Sequence, residues 1–205
     1  MKQPPPSRSA RFQAASPWQA ATGHAFTEAL AADTLPAEAF LQYMAQEYWF
    51  VGALADAVGH LIAKAPTFPA KRRLTQFLAA VLEGEDQFFG EVLMSPGAVP
   101  AEPLPATRAL SDLLRGSAAA DAYGVGLGTL LAGEWVYLDW GQRVAAHPPK
   151  NPAYRRWAEL HAEPGFEQFV HWLQAELDGL DLSGPDELRA RENFVQAVHD
   201  EVVFF

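Results

Sequence analysis

Apolar residues recur along this chain at spacings of three and four, and two-residue alternation is nowhere sustained, so the elements it predicts are helices. Helix signals punctuate the pattern. Ser16-Pro17 places a capping side chain before a proline at the first helical position and predicts a helix to about Ala31. Thr34-Leu35-Pro36 opens a second, running to about Lys64, where Pro66 and Pro69 stop it. A third covers about Ala70 to Leu93. Ser95-Pro96-Gly97 then begins a proline-rich loop that leads to a short helix near Ala106–Arg115. A long helix over about Ala118–Ala146 is closed by His147-Pro148-Pro149. Asn151-Pro152 caps the next, Pro164-Gly165 interrupts it before Phe166–Leu180, and Ser183 to Asp186 starts the last. The expected fold class is all-α: a single-domain helical bundle of about seven helices.

Composition narrows the function. The 205 residues suit one domain with a sizeable core. Lys plus Arg number 15 against 25 Asp plus Glu, a net charge of −10. No basic stripe exists to neutralise phosphates, so the expected partners include no nucleic acid and no anionic membrane. The longest apolar stretches, Tyr48–Val58 and Ala122–Gly133, are shorter than the roughly 18 residues of a membrane span. The first residues, Met1 to Arg8, lack the apolar run of a secretory signal. Residues 1–12 read as a disordered leader and 13–205 as the folded domain of a cytoplasmic protein. There is no cysteine, which removes disulfides, thiolate metal sites and a thiol nucleophile together.

The informative residues are acids standing where a helix should be apolar. The stripe Phe40, Met44, Glu47, Val51, Leu54, Val58 has a carboxylate in its middle. Glu134 lies on the line Leu127, Leu130, Glu134, Tyr137, Gly141. Glu201 shares a face with Phe194, Val198 and Phe205, and Glu85 sits among Leu78, Val81, Leu82 and Phe88. An ionised carboxylate buried without a partner costs several kcal/mol, so such groups pair, hydrogen-bond or take up a proton. Each could be a structural tie to Arg, His, Tyr or Trp. Several on separate helices instead suit a ligand held in the bundle interior. Aromatic neighbours (Tyr48-Trp49-Phe50, Trp135, Tyr137, Phe204-Phe205) suit a planar heterocycle bearing amino groups, although each ring alone fits ordinary core packing. A di-iron site would need Glu-x-x-His pairs, and no Glu is followed by His three residues later. His60, His161, His171 and His199 lack matched partners at helical spacing. A haem would need one His, such as His24, and a lone His is more often structural.

These segments resemble, in order and over almost the whole chain, the TenA/thiaminase II family. His24-Ala25-Phe26, Asp33-Thr34-Leu35-Pro36, Phe40 and Tyr43 resemble its opening His-Pro-Phe, Gly-Thr-Leu-Pro, Phe and Tyr. Gln46-Glu47-Tyr48 resembles Gln-Asp-Tyr, with Glu47 in place of the pyrimidine-binding Asp. Leu130 to Tyr137 resembles Leu-Leu-Pro-Cys-x-Trp-x-Tyr, Asn151-Pro152 with Tyr154 and Trp157 follows, and Glu201-x-x-Phe204 closes the set. The family's nucleophilic Cys falls at Gly133, a pocket Tyr at His161 and another at Leu110. Glu134 is similar to the Glu of the cysteine-lacking TenA-E branch.

The resemblance implies a haem-oxygenase-like bundle and a thiamin-salvage hydrolase. It would act on a C–N bond of a thiamin-derived pyrimidine, formylaminopyrimidine or aminopyrimidine, without a Cys nucleophile. In that reading Glu201 and Glu134 are catalytic. Glu47, Phe50, Tyr137, Phe204 and His161 bind the small-molecule pyrimidine. No metal or organic cofactor is needed, and a homo-oligomer, dimer or tetramer, is implied. A non-catalytic pyrimidine-binding protein of the same fold is the alternative, and an oxidase holding iron or haem is a third.

Overall fold

A computed structural model describes residues 5–93 and 102–205, the side chains of 85–87 excepted. The described residues form ten helices and no strand: α1 (Arg8–Ala15), α2 (Trp18–Thr22), α3 (Ala25–Ala31), α4 (Ala37–Lys64), α5 (Phe68–Leu93), α6 (Pro105–Ala120), α7 (Tyr123–Ala145), α8 (Pro152–Leu160), α9 (Pro164–Gly179) and α10 (Gly184–Phe204). None of them is long and apolar enough to cross a membrane.

The bundle is organised around α7. This helix meets α10 most extensively and also touches α6, α8, α9, α2, α4 and α3. A helix enclosed on nearly every side must be apolar all round. That explains the run from Val125 to Trp140, in which Leu127, Leu130, Leu131, Ala132 and Val136 are fully buried. α4 packs against α5 and α6 on the flank. Gln46, inside α4, accepts from Leu104 N at 2.8 Å and Thr107 Oγ1 at 2.6 Å, which ties α4 to the start of α6.

The all-α expectation and most helix boundaries agree with the structure, and the differences have local causes. The helix expected over 16–31 is two helices. Gly23 ends α2, and the His24 ring, as N-cap of α3, accepts from Phe26 N at 3.2 Å. The long helix expected from about Ala118 begins at Tyr123, because the chain turns at Asp121. The carbonyls of Ala119 and Asp121 are taken up by Lys64 Nζ, each at 2.7 Å. A lysine 55 residues away in sequence gives no local signal for that turn. The proline-rich loop at Ser95-Pro96-Gly97 lies outside the described residues. Asp33, where the family motif has Gly, holds φ at 57°, in the left-handed region. Its carboxylate receives Lys150 N and Asn151 N at 2.6 and 2.9 Å, linking the α3–α4 turn to the α7–α8 loop.

The expected leader of residues 1–12 is corrected at its end: the chain is helical from Arg8. Phe12 is buried against Phe194 with ring centroids 5.9 Å apart, and Ser9 hydrogen-bonds Asp178 through both N and Oγ. Arg8 covers carbonyls at the end of α9 and in the turn after it, donating from Nη1 to Leu177 O (2.5 Å) and Leu180 O (2.9 Å) and from Nη2 to Leu182 O (3.2 Å). Hydrogen bonds to a charged group contribute about 1.5–3 kcal/mol. Arg8→Ala is therefore expected to lower stability by about 2 kcal/mol, some 4–8 °C for a chain of this length, in a thermal melt. An unchanged melting temperature would mean that α1 does not contribute to the fold.

Candidate functional site

Three helices deliver carboxyl groups to one place inside the bundle. Glu47 comes from α4, Glu134 from α7 and Glu201 from α10; they are 2%, 8% and 0% exposed. Glu47, Glu134, Phe50, Tyr137 and His161 line one internal cavity together with Val51, Leu54, Gly133 and Trp157. The Glu201 carboxyl stands behind Gly133: a Cβ built on Gly133 would lie 3.1 Å from Glu201 Oε1. Phe204 flanks the group, its ring 5.7 Å from Tyr43 and 5.8 Å from Phe50. All seven residues singled out from the sequence thus fall in or beside one interior region. Glu85 lies outside the described side chains. Tyr48 and Trp49 are 45% and 40% exposed, and Trp135 packs on Trp18 at 4.9 Å, so these rings do not surround the acids. Leu110 is a buried core residue.

The hydrogen bonds have a direction. Tyr137 Oη donates to Glu47 Oε1, and each phenol has a single proton. Tyr43 Oη, 2.8 Å from Tyr137 Oη, is then the donor in that pair. The relay Tyr43 to Tyr137 to Glu47 orients one carboxylate. Glu201 contrasts with it, since neither of its oxygens has a hydrogen-bond partner. A buried carboxyl in that state is held as the neutral acid. Burial raises its pKa well above the ordinary range, and the charges of Glu47 and Glu134 add to the effect. Burial also lifts Glu134 to about 8, with Glu47 contributing, and lifts Glu47 to about 7 against the lowering effect of the two tyrosines.

His161 forms one wall. Its Nδ1 lies 2.9 Å from the Trp157 carbonyl, which can only accept, so Nδ1 carries the proton and Nε2 is an acceptor. Burial pushes its pKa down to about 4, and the ring is neutral at physiological pH. Its position depends on Gly141. A Cβ there would lie 2.7 Å from His161 Cβ and 3.0 Å from its carbonyl oxygen, so α7 reaches the end of α8 only because residue 141 has no side chain. Trp157 Nε1, on the same cavity, also lacks a hydrogen-bond partner. Tyr43 and Trp157 are the site residues that reasoning from isolated positions did not single out as functional. Their signal was present in helical spacing, since Tyr43 lies four residues before Glu47 and Trp157 four before His161. The cavity holds about 20 Å³, room for roughly one water, so a ring-sized ligand requires its walls to move. Among the described residues, no three His, Asp or Glu side chains are placed to hold a metal ion.

An all-α bundle with a carboxyl cluster around its central helix is the class of protein this geometry defines. Comparison with known proteins makes it specific: residues 12–205 match the TENA/THI-4/PQQC family, and the chain belongs to it. Aminopyrimidine aminohydrolase of Bacillus subtilis (strain 168) is 25% identical over 97% of this chain and 87% of its own length. The fold is that of solved TenA homologues, which share the haem-oxygenase-like architecture. The TenA homologue from P. horikoshii OT3 superposes with a TM-score of 0.85 at 23% identity, covering 97% of this chain and 96% of the other. A TenA family transcription regulator from Silicibacter sp. TM1040 does so with the same TM-score and identity, covering 100% and 97%.

Two outcomes are expected from this geometry. A carboxyl whose pKa is higher folded than unfolded binds an extra proton on folding, so the contribution of Glu47 and Glu134 to stability is fully present below about pH 4.5 and is lost as pH rises to about 7 and 8, whereas His161, lowered to about 4, acts in the opposite sense below pH 6.5. The slope is about 1.4 kcal/mol per pH unit for each such group across its window, and Glu134→Gln should flatten the melting profile by that share. A profile identical to wild type would place Glu134 in a solvated environment. Gly141→Ala is expected to cost about 1–3 kcal/mol and to displace His161, visible as a shift of its ring resonances. Retention of both stability and spectrum would show that the helices can part without consequence.

Proposed function

We propose that this protein is a thiamin-salvage hydrolase of the TenA type that cleaves a C–N bond of a thiamin-derived aminopyrimidine without a covalent thiol step. The observation that carries the reading is the pair Glu134 and Glu201, both buried and both raised in pKa, one following Gly133 in the chain and the other 3.1 Å from where its Cβ would be, at the position that resembles the family's nucleophilic Cys. The activity named for the Bacillus subtilis relative supports the substrate class.

In this proposal Glu47, oriented by Tyr137 and Tyr43, grips the pyrimidine ring nitrogen and amino group. Phe50, Tyr137 and Phe204 border the ring and exclude water, and His161 closes one wall with its neutral imidazole. Bond breaking needs one acid and one base whose environments set their pKa values apart. Glu201, protonated and unpaired, gives its proton to the departing nitrogen. Glu134, about 8 in the closed site, accepts the proton of the attacking water once it has ionised. The water oxygen bonds to the carbon that carried the amine, the C–N bond breaks, and the amine leaves neutral. The net reaction consumes one water, and Glu201 ends ionised where Glu134 was before. Proton exchange between the two restores the starting state. No metal or organic cofactor has a step in this scheme. The folded unit, begun at Arg8, its cytoplasmic location and its assembly into a dimer or tetramer belong to the same proposal.

The experiment is turnover of thiamin, formylaminopyrimidine and aminopyrimidine, each incubated separately and followed by chromatography. Wild type is expected to act on one of the two degraded pyrimidines and to be slow or inactive on thiamin. Removing a general acid costs about 10²–10⁴ in rate, so Glu201→Gln should lose that much kcat while ligand still protects the protein from heating. Ligand protection with no turnover of any of the three by wild type would replace the hydrolase with the pyrimidine-binding protein.

A further inference from the structure

A second and much larger cavity of about 340 Å³ lies between α5, α8 and α9. His161 lines both. The outer cavity differs in chemistry from the acidic chamber. Phe77 of α5 and Phe169 of α9 stack face to face on its lining, with centroids 3.8 Å apart and planes 9° from parallel. The Arg73 guanidinium sits over Phe169 at 5.8 Å from the ring centre. Arg73 has no ion-pair partner among the described residues, and a guanidinium held over a ring face keeps its in-plane N–H groups for an anion. Arg156, from α8, is the second cation on the lining. Its partner Glu163 is 3.5 Å away, with both side chains about half exposed, and such a pair contributes little and is readily exchanged. In a chain with a net charge of −10, this is a pocket with an excess of positive charge, aromatic in its floor and of the size that small molecules fill.

We propose that this outer pocket is a binding site for a small planar ring bearing a single anionic group, a carboxylate or a phosphate. The ring meets the edges of Phe77 and Phe169, whose faces are taken up by each other and by Arg73, and the anion meets Arg73 with Arg156 turning from Glu163 to share it. The site is separate from the carboxyl chamber and does not depend on the hydrolase reading.

The test is calorimetric titration of the full chain with phenyl phosphate and benzoate as probes, beside inorganic phosphate and benzyl alcohol. Both ring anions are expected to saturate at one per chain, and the ring-free anion and the neutral ring to bind at least about tenfold more weakly, because each lacks one of the two contacts. Arg73→Gln and Arg156→Gln are each expected to weaken phenyl phosphate about tenfold, with Arg73→Lys recovering part of the loss. Gly165→Leu, whose Cβ would meet no heavy atom within 4 Å, should fold and block the pocket without touching charge. Glu134→Gln, in the inner chamber, should leave phenyl phosphate binding unchanged. Several results would overturn the proposal: no saturable binding of either ring anion up to about 10 mM, inorganic phosphate binding as tightly as phenyl phosphate, binding insensitive to both arginine variants, or binding lost in Glu134→Gln.

Discussion

Carboxyl groups taken out of water must be compensated, and this structure depends on how three of them are. Glu47, Glu134 and Glu201 sit inside a bundle whose other interior positions are largely apolar. Each solves the problem differently. Glu47 accepts from a tyrosine that is itself held by a second tyrosine, so it can carry charge. Glu201 has no donor and is held neutral by burial and by its acidic neighbours. Glu134 lies between, with a pKa near 8. The result is a cluster in which ionised and protonated carboxyls coexist at neutral pH, the condition that proton transfer to and from a bound ring requires.

The cluster exists because α7 can be approached closely from several sides. Gly133 admits the Glu201 carboxyl from α10, and Gly141 admits the end of α8 with His161. At Gly133 the missing side chain changes the chemistry as well as the packing. A thiol there would have stood against Glu201, whereas here the acid faces the backbone directly. Glu134 follows Gly133 on the same helix, so α7 supplies both the gap that admits Glu201 and a buried carboxyl of its own.

Much of this was legible in the sequence. Helical periodicity and proline punctuation located α4, α5, α8, α9 and α10 to within a few residues, because a long amphipathic helix repeats its signal many times. The breaks at Gly23-His24 and Asp121 were not legible. In each the apolar period carries on through the break, and at Asp121 the backbone is satisfied by Lys64 from another helix. α1 was hidden for a related reason. Eight residues rich in Ser, Ala and Arg look like a leader until Phe12 and Arg8 find partners in α10 and α9.

The sequence by itself determined that this is an all-α chain, that it has no thiol, and that Glu47, Glu134 and Glu201 interrupt apolar faces, because these follow from residue identity and from a period of 3.6. Only the tertiary structure decided that the three acids meet, which tyrosine donates to which carboxylate, and that Tyr48 and Trp49 turn outward while Trp157 turns in. It alone also placed Arg73 and Arg156, from helices far apart in sequence, on the lining of one aromatic pocket. The physical reason is that a carboxyl's proton affinity and an arginine's freedom are set by what surrounds them in space. Helical periodicity fixes only which side of its own helix a residue occupies.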